Sequence, residues 1–438
     1  MNIGLFTNTF LPHVGGVARS TQTLLEDLRR LRHRVLVVAP EFAEGTAPRR
    51  IERSVERVPA VSNFNGSDFS VRLPLGAALN KRLNHFELDL IHAHHPFLLG
   101  DTALRVAAER GVPVVFTHHT LYEQYTHYVP FDSPALRDYV IELSTRFANC
   151  CEGVIAPSES VADLIRSRGV TTPIRVIPTG IDTAKLSSGR RDRWRKKLKL
   201  QDDDILFGHV GRLAPEKNLE FMAEGLARCL SRNDNAYAII VGDGPSRPDM
   251  ERIFGERRVL HRVHFAGQQT GRALHDAYAA MDAFAFASHS ETQGMVVAEA
   301  MAAANPVIAL DASGVREVVT NNRNGRLLKA DASTEAYARA LTQLVRNHEA
   351  RQRWTAEATV TAARFDRQHT AAEVVDYYQQ LIEQRRGSPS SEHPDIWDRL
   401  LDRIAVETRL LGDKLGAAIN TVTSRLSHHP SEPMAEAS

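Results

Sequence analysis

The sequence predicts an α/β protein with two Rossmann-like, doubly wound domains in tandem, and three observations support this prediction. Short continuous runs of Val, Ile and Leu alternate with stretches of helical spacing, which is typical of parallel sheets covered on both faces. The alternation begins again after a highly charged segment near residues 183–200. The chain has 438 residues, 43% of them hydrophobic, and is long enough to bury more than one core.

The first domain is predicted over residues 1–183. The chain opens with the strand NIGLFTN, and a loop with Gly15 and Gly16 then leads into the helical pattern ARSTQTLLEDLRRLRH. The other strands of this domain are predicted at RVLVVAP, LDLIHAHH, PVVFTHHT, GVIAPS and RVIPTG.

The second domain is predicted over residues 184–386. It begins with a charged helix and linker, GRRDRWRKKLKLQDDD, and we expect its last helix to pack back on the first domain. Ligands of such sheets bind beyond the carboxyl ends of the strands, so we expect the site in a cleft between two facing domains. The strands of this domain are predicted at ILFGHVGR, AYAIIVGDG, RVHFAG, AFAFAS, PVIALD and GRLLKA.

Residues 387–438 are predicted to form a linker, an amphipathic helix and a disordered tail. The linker RRGSPSSEHP is polar and rich in Ser and Pro. Beyond it, apolar residues recur at helical spacing from Trp397 to Val422. This helix is expected to bind a membrane, to form a coiled-coil contact or to cap the fold.

Charge and cysteine content limit the function classes. The net charge of +1 provides no global field that would select nucleic acid, and the one basic stretch lacks an aromatic platform, so we expect no nucleic-acid partner. Three cysteines fit a reducing compartment. Without a signal-peptide pattern or a run of about 18 apolar residues, we expect a cytoplasmic protein, either free or peripheral on the inner face of the cell membrane.

Two glutamates lie around the start of a predicted helix. The strand AFAFAS leads into a polar loop with Glu291, and Gly294 opens the helix that carries Glu299. The free N–H groups of a helix start favour an anion, and a carboxylate accepts hydrogen bonds from vicinal hydroxyls. The combination fits a sugar nucleotide, although a surface acid favoured by the helix dipole would show the same spacing.

Arg212 and Lys217 follow the strand ILFGHVGR in the loop before the next helix. Arg offers a planar fork and Lys a point charge, so the two can hold a diphosphate. The alternative is a solvated basic loop whose cations pair with Glu216 or Glu220.

The loop with Gly15 and Gly16 would let the backbone approach a ligand closely, although a plain tight turn also explains it. It lacks the G-x-G-x-x-G fingerprint, which disfavours a nicotinamide-dependent dehydrogenase.

Histidines cluster at the predicted tips of two strands. Imidazole is a common metal ligand, but no carboxylate spacing completes a metal pattern, so we expect neither a metal nor another cofactor. A histidine that hydrogen-bonds a substrate hydroxyl is the favoured interpretation. The residues are His92, His94, His95, His118, His119 and His127.

In these motifs the sequence resembles the glycosyltransferases of the GT-B fold, in particular family 4, a retaining group. The resemblance covers about residues 1–380. It implies metal-independent, retaining transfer of a hexose, with glucose from a UDP-linked donor as the expected case. The motifs appear in the family's order: GGV at 15–17, VIPTGID at 176–182, VGRLAPEKN at 210–218, VGDGP at 241–245, FAG at 265–267 and SETQGMVVAEAMAAANPVIA at 290–309.

The resemblance implies a role for each matching charged residue. Glu299 would hold the ribose hydroxyls of the donor, and Glu291 would contact the donor sugar near the reacting centre. Arg212 and Lys217 match the pair that neutralises the leaving diphosphate. His119, in FTHHT, matches the histidine beside the transferred sugar. His119, Glu291, Arg212 and Lys217 are therefore the expected catalytic residues.

The resemblance also implies donor contacts through the backbone. Gly16, with Gly15 before it, matches the glycine that lets the first loop approach the donor phosphate. The segment Gln293, Gly294, Met295 and Val296 would help to bind the donor sugar and phosphate.

The acceptor is less constrained. Residues 116–130, FTHHTLYEQYTHYVP, resemble the equivalent stretch of bacterial diacylglycerol glucosyltransferases, so a diacylglycerol hydroxyl is the leading expectation. A soluble saccharide or sugar phosphate, or a non-catalytic role in nucleotide-sugar binding, remains the alternative. Residues 71–86 and 395–426 are the expected membrane contacts, although the first range also fits an ordinary amphipathic helix.

Overall fold

The structure is a computed structural model that describes residues 1–13, 15–41, 48–61, 71–72, 83, 85–124, 133–289 and 291–387. The predicted C-terminal helix at 395–426 and most of the segment 71–86 lie outside the described residues. The described residues form two compact units, one within Met1–Ala156 and Ala162–Arg175 together with residues 374–387, and one within Pro157–Val161 and Val176–Glu373.

The first unit is built on a seven-stranded sheet of order β3-β2-β1-β6-β7-β8-β9. The neighbours from β3 to β8 pair in parallel. The elements in chain order are β1 (Asn2–Phe6), α1 (Gly16–Arg30), β2 (Arg34–Pro40), α2 (Arg49–Glu52), β3 (Val55–Val58), β4 (Ala60–Val61), β5 (Val71–Arg72), β6 (Leu90–Ala93), α3 (Leu99–Arg110), β7 (Val114–Thr117), α4 (Pro134–Ala148), β8 (Gly153–Ala156), α5 (Glu159–Ser167) and β9 (Ile174–Val176).

The second unit is built on a six-stranded parallel sheet of order β12-β11-β10-β13-β14-β15. The last helix, α15, begins in this unit, and its residues from Val374 belong to the first unit. The elements are α6 (Thr183–Ser187), α7 (Arg191–Leu198), β10 (Ile205–Val210), α8 (Leu219–Arg232), β11 (Ala236–Val241), α9 (Arg247–Glu256), β12 (Val263–Gly267), α10 (Gly271–Ala280), β13 (Ala283–Phe286), α11 (Met295–Ala302), β14 (Val307–Leu310), α12 (Val315–Val318), β15 (Gly325–Leu328), α13 (Thr334–Arg346), α14 (His348–Ala363) and α15 (Arg367–Arg386).

Helices cover both faces of the second sheet. Since side chains alternate along each strand, consecutive residues pack against different helix layers. Leu206 belongs to one buried cluster with Phe284 and residues of α10, α11 and α14. Its neighbour Phe207 belongs to another, with residues of α8, α9 and α13. The predicted α/β class with two Rossmann-like, doubly wound domains is confirmed, and every strand predicted above is present.

The chain reverses its direction of travel across each sheet at one place. In the first unit β1 lies between β2 and β6, and in the second β10 lies between β11 and β13. The carboxyl ends of the two strands that flank such a switch point leave a crevice for ligands. The loops after β1, β6, β10 and β13 are therefore the places to look for a site. No helix among the described residues is long and apolar enough to cross a bilayer.

Candidate functional site

The switch point of the second unit brings together two predicted site residues. Lys217 ends the short 3-10 turn Pro215–Lys217 after β10, and Glu291 lies in the loop after β13. Nζ of Lys217 lies 2.6 Å from Oε1 of Glu291, and the two side chains are 20% and 15% exposed. Salt screens a partly buried ion pair less than an exposed one, so the attraction between the two charges stays strong. This attraction fixes the orientation of both side chains.

Arg212 lies on the same loop and forms an ion pair with Glu216. The guanidinium side chain is 52% exposed, whereas the carboxylate side chain is 9% exposed. The exposed position limits the strength of the pair and leaves the cation accessible to solutes.

Helix α11 begins at the same strand tip. Gly294 is its N-cap residue, with a φ of +72°, a left-handed conformation in which a side chain would be strained. No described side chain caps this helix start. The first-turn N–H groups, including those of Met295 and Val296, have no partner within the helix, so they and the helix dipole favour an anion.

Gln293 has a structural contact that the sequence did not reveal. Its side-chain amide forms two hydrogen bonds of 2.8 Å with the main chain of Thr179, one accepted from the N–H and one donated to the carbonyl. The side chain is buried and thereby holds the segment PTG against the loop after β13. The predicted backbone contact of Gln293 with a donor stays a prediction.

Glu299 lies on α11 and is only 2% exposed. Its Oε2 accepts a hydrogen bond of 2.9 Å from the hydroxyl of Tyr278, a fully buried residue of α10. A buried carboxylate needs such hydrogen bonds, because an unpaired charge in the interior is costly. The alternative of a surface acid is therefore wrong for this residue.

His209, near the end of β10, is a polar residue that the sequence analysis missed. Its Nδ1 lies 3.2 Å from the carbonyl oxygen of Ala285, so Nδ1 carries the proton, because a carbonyl can only accept. Nε2 has no hydrogen-bond partner among the described residues. Burial lowers the pKa of His209 to about 4. The ring therefore presents a neutral, buried acceptor beside Gly211, where an added Cβ would lie 3.5 Å from Nε2.

In the first unit the predicted glycines lie at the start of α1. Gly15 is the N-cap residue and has extended backbone geometry. Gly16 is exposed, and an added Cβ there would meet no atom within 4 Å. The packing of the unit therefore does not require glycine at this position, which leaves close approach of a ligand as the prediction to be tested.

Histidines in β6 and in the loops after β6 and β7 form a stack in the first unit. The rings of His92 and His94 are 4.2 Å apart, and those of His94 and His119 are 5.2 Å apart. Nδ1 of His94 lies 2.9 Å from Nε2 of His119. His119, which follows β7, is thus held by a buried neighbour that follows β6, a strand beside the switch point of the first sheet. His127 lies outside the described residues.

These histidines are kept neutral by their surroundings. Burial, and then the neighbouring histidines, hold the pKa values of His94 and His119 well below 6.5. Burial lowers the pKa of His118 to about 4, with a smaller effect of Arg168 in the same direction. In the part of the chain that the structure describes, no group of three or more His, Cys, Asp or Glu side chains is placed to hold a metal ion.

Comparisons with known proteins assign the two halves of the chain. The sequence model of Glycosyltransferase Family 4 matches residues 14–185, and that of Glycosyl transferases group 1 matches residues 190–361. Among solved structures, that of Anabaena HepE in complex with UDP shares the fold, with a TM-score of 0.69 at 22% identity over 87% of this chain and 100% of that one.

Two curated relatives are similar along most of the chain. The alpha-monoglucosyldiacylglycerol synthase of Streptococcus pneumoniae is 32% identical over 75% of each chain. The GDP-mannose-dependent alpha-mannosyltransferase of Mycolicibacterium smegmatis is 32% identical over 79% of this chain and 89% of the relative. With its two Rossmann-like units, this chain is therefore a family 4 glycosyltransferase of the GT-B fold, an enzyme that transfers a sugar from a nucleotide-sugar donor.

Proposed function

We propose that this enzyme is a retaining hexosyltransferase that moves glucose from UDP-glucose to a hydroxyl group of diacylglycerol. The donor part of this proposal rests on the contact between Lys217 and Glu291, beside the start of α11, which no described side chain caps. A cation, a helix start and a carboxylate at one switch point supply partners for a diphosphate and for sugar hydroxyls.

The proposed reaction develops negative charge on the leaving diphosphate. The bond between the anomeric carbon and the phosphate oxygen breaks, and the electron pair leaves with the phosphate. Lys217, Arg212 and the first turn of α11 stabilise this charge, which is the role that a metal ion has in other transferases. The acceptor oxygen forms its bond on the same face of the sugar, and its proton passes to the departing phosphate.

The other predicted residues complete the donor site in this proposal. Glu299 accepts hydrogen bonds from the ribose hydroxyls, and Glu291 contacts the transferred sugar. His119, neutral and held by His94, hydrogen-bonds a hydroxyl of that sugar. Gly15 and Gly16 allow the first loop to approach the donor phosphate.

The choice of glucose and of a lipid acceptor rests on the pneumococcal relative, whose name describes a glucosylated diacylglycerol. A second candidate is transfer of mannose from GDP-mannose, since the mycobacterial relative is equally identical and a larger share of it is covered. In either case we propose that the enzyme works at the cytoplasmic face of the membrane, where a lipid hydroxyl is accessible.

The test is nucleotide release from UDP-glucose, UDP-galactose and GDP-mannose, each with and without liposomes that contain diacylglycerol. Release of UDP from UDP-glucose that rises with the liposomes is the expected result. Release of GDP from GDP-mannose alone would support the second candidate. Release that diacylglycerol does not change would contradict the lipid acceptor while leaving the transferase intact.

A further inference from the structure

Tyr278 and Glu299 form a deeply buried polar contact in the candidate site. Tyr278 is 0% exposed, and its hydroxyl donates to Oε2 of Glu299 over 2.9 Å. Tyr278 lies on α10 and Glu299 on α11, 21 residues apart in sequence. This hydrogen bond joins the helix that carries the proposed ribose ligand to a neighbouring helix that no motif of the sequence assigns.

The position of Tyr278 is itself fixed from several sides. Its ring packs beside Phe284 of β13, with the ring centroids 6.1 Å apart. Its carbonyl oxygen accepts a hydrogen bond of 2.8 Å from Nδ2 of Asn305, a residue that is fully buried. A phenol that is held in this way has few orientations available, so its hydroxyl can fix the orientation of the carboxylate that it contacts.

Recognition of a ribose diol places a geometric demand on Glu299. Two vicinal hydroxyls are best held by a carboxylate whose plane and rotamer are set before the ligand arrives, because ordering the side chain on binding would lower affinity. A hydroxyl that donates to Oε2 sets the rotamer and also compensates the buried charge.

We propose that Tyr278 is a positioning residue that orients the Glu299 carboxylate and thereby makes the enzyme select ribonucleotide over deoxyribonucleotide donors. The inference rests on the proposed role of Glu299 in binding the ribose hydroxyls. It assigns to Tyr278 a part in specificity and not only in packing.

The experiment compares the affinities for UDP and 2′-deoxy-UDP, or for GDP and 2′-deoxy-GDP if the enzyme binds guanine nucleotides more tightly. Both affinities are measured by calorimetry on the wild type, on Tyr278→Phe and on Tyr337→Phe. Tyr337 is the matched control, since it is also fully buried in the second unit. Its hydroxyl forms hydrogen bonds with main-chain groups of Phe286 and Ile308. The ratio of two affinities on one preparation is insensitive to any unfolded fraction.

The wild type is expected to prefer the ribonucleotide by about tenfold or more, as for a hydrogen bond to a charged group. Tyr278→Phe should reduce this preference to about twofold through weaker binding of the ribonucleotide. The misplaced carboxylate of Glu299 would no longer accept hydrogen bonds from both ribose hydroxyls. The control Tyr337→Phe should keep the full preference. If Tyr278→Phe yields no folded protein, Asn305→Leu, which releases the carbonyl of Tyr278, should reduce the preference instead.

Two results would overturn the inference while leaving Glu299 as the ribose ligand. One is a Tyr278→Phe variant with the full preference of the wild type, or the same result for Asn305→Leu where that variant replaces it. The other is an equal loss in Tyr278→Phe and Tyr337→Phe, which would indicate a general loss of packing. A wild type without any preference would instead refute the ribose role of Glu299, and the inference with it.

Discussion

Nζ of Lys217 lies 2.6 Å from Oε1 of Glu291, although 74 residues separate them in sequence. The contact exists because Lys217 follows β10 and Glu291 follows β13, the two strands on either side of the switch point of the second sheet. The topology of the unit thus places a cation and a carboxylate where a sheet of this kind binds its ligand.

Replacement of Lys217 tests the role of this cation. Lys217→Ala should lower kcat by about 100-fold or more, because the leaving phosphate loses a stabilising charge in the transition state. The measurement is nucleotide release under saturating donor, with circular dichroism to verify the fold. Lys196→Ala, at a lysine that is 79% exposed on α7, is the control and should turn over at the wild-type rate. A Lys217→Ala variant as fast as this control would exclude the diphosphate role.

Glu216 is expected to compete with the donor for Arg212. Glu216→Gln keeps the size of the side chain but removes its charge, so the guanidinium becomes more available to phosphate. Because Arg212 is half-exposed and solvent screens the pair, we expect the affinity for UDP to rise by only about threefold. Calorimetric titration measures it, with Glu220→Gln at an exposed residue of α8 as the control. Weaker binding in Glu216→Gln would show that the ion pair organises the loop for the donor.

Gly16→Ala tests whether glycine is required at this position for stability or for turnover. Alanine is the better helix former, and its Cβ would meet no atom within 4 Å, so the melting temperature should stay the same or rise. Turnover should nevertheless fall by about tenfold or more if the donor phosphate must approach this backbone. The control is Gly255→Ala on α9, another exposed helical glycine with open space around it. Undiminished turnover in Gly16→Ala would mean that the glycine serves only the turn.

Stability should fall with acidity because burial makes protonation of histidines less favourable in the folded state than in the unfolded state. The pKa of His118 is about 4 when folded, against 6.5 for an ordinary histidine. Between these values the unfolded chain binds a proton that the folded chain does not, so the free energy of unfolding decreases as the pH falls from 6.5 towards 4.

His118→Phe should remove this contribution, which amounts to at most about 1.4 kcal/mol per pH unit. The measurement is calorimetric melting of both proteins across this pH range. The melting temperature of the variant should fall less steeply with acidification than that of the wild type. Parallel curves would mean that His118 is protonated in the folded protein or exposed to solvent.

The order of strands and helices was predictable because apolar runs and helical spacing are local properties of the chain. AFAFAS, for example, forms β13, and the helix start at Gly294 lies where the glycine indicated. The family motifs identified Glu291, Glu299, Arg212 and Lys217 as candidates, and the switch-point geometry brings Lys217 and Glu291 together.

Contacts between distant residues were not predictable in the same way. The hydrogen bond from Tyr278 to Glu299 depends on how two helices pack. The hydrogen bonds between the side-chain amide of Gln293 and the main chain of Thr179 depend on how two loops pack. No spacing in the sequence encodes either contact. His209 could not be predicted as a site residue, because no spacing in the sequence distinguishes a histidine within an apolar strand. Its tautomer follows only from the carbonyl of Ala285 that the fold places beside it.

The configuration of the glucosyl product distinguishes retaining from inverting hexosyl transfer. UDP-glucose labelled with carbon-13 at the anomeric position would be incubated with the enzyme and acceptor liposomes, and early time points would be followed by NMR, with Lys217→Ala as the inactive reference. For a retaining enzyme, the glucosyl product is expected to form first as the α anomer, with the configuration of the donor. A product that forms first as the β anomer would contradict retaining transfer.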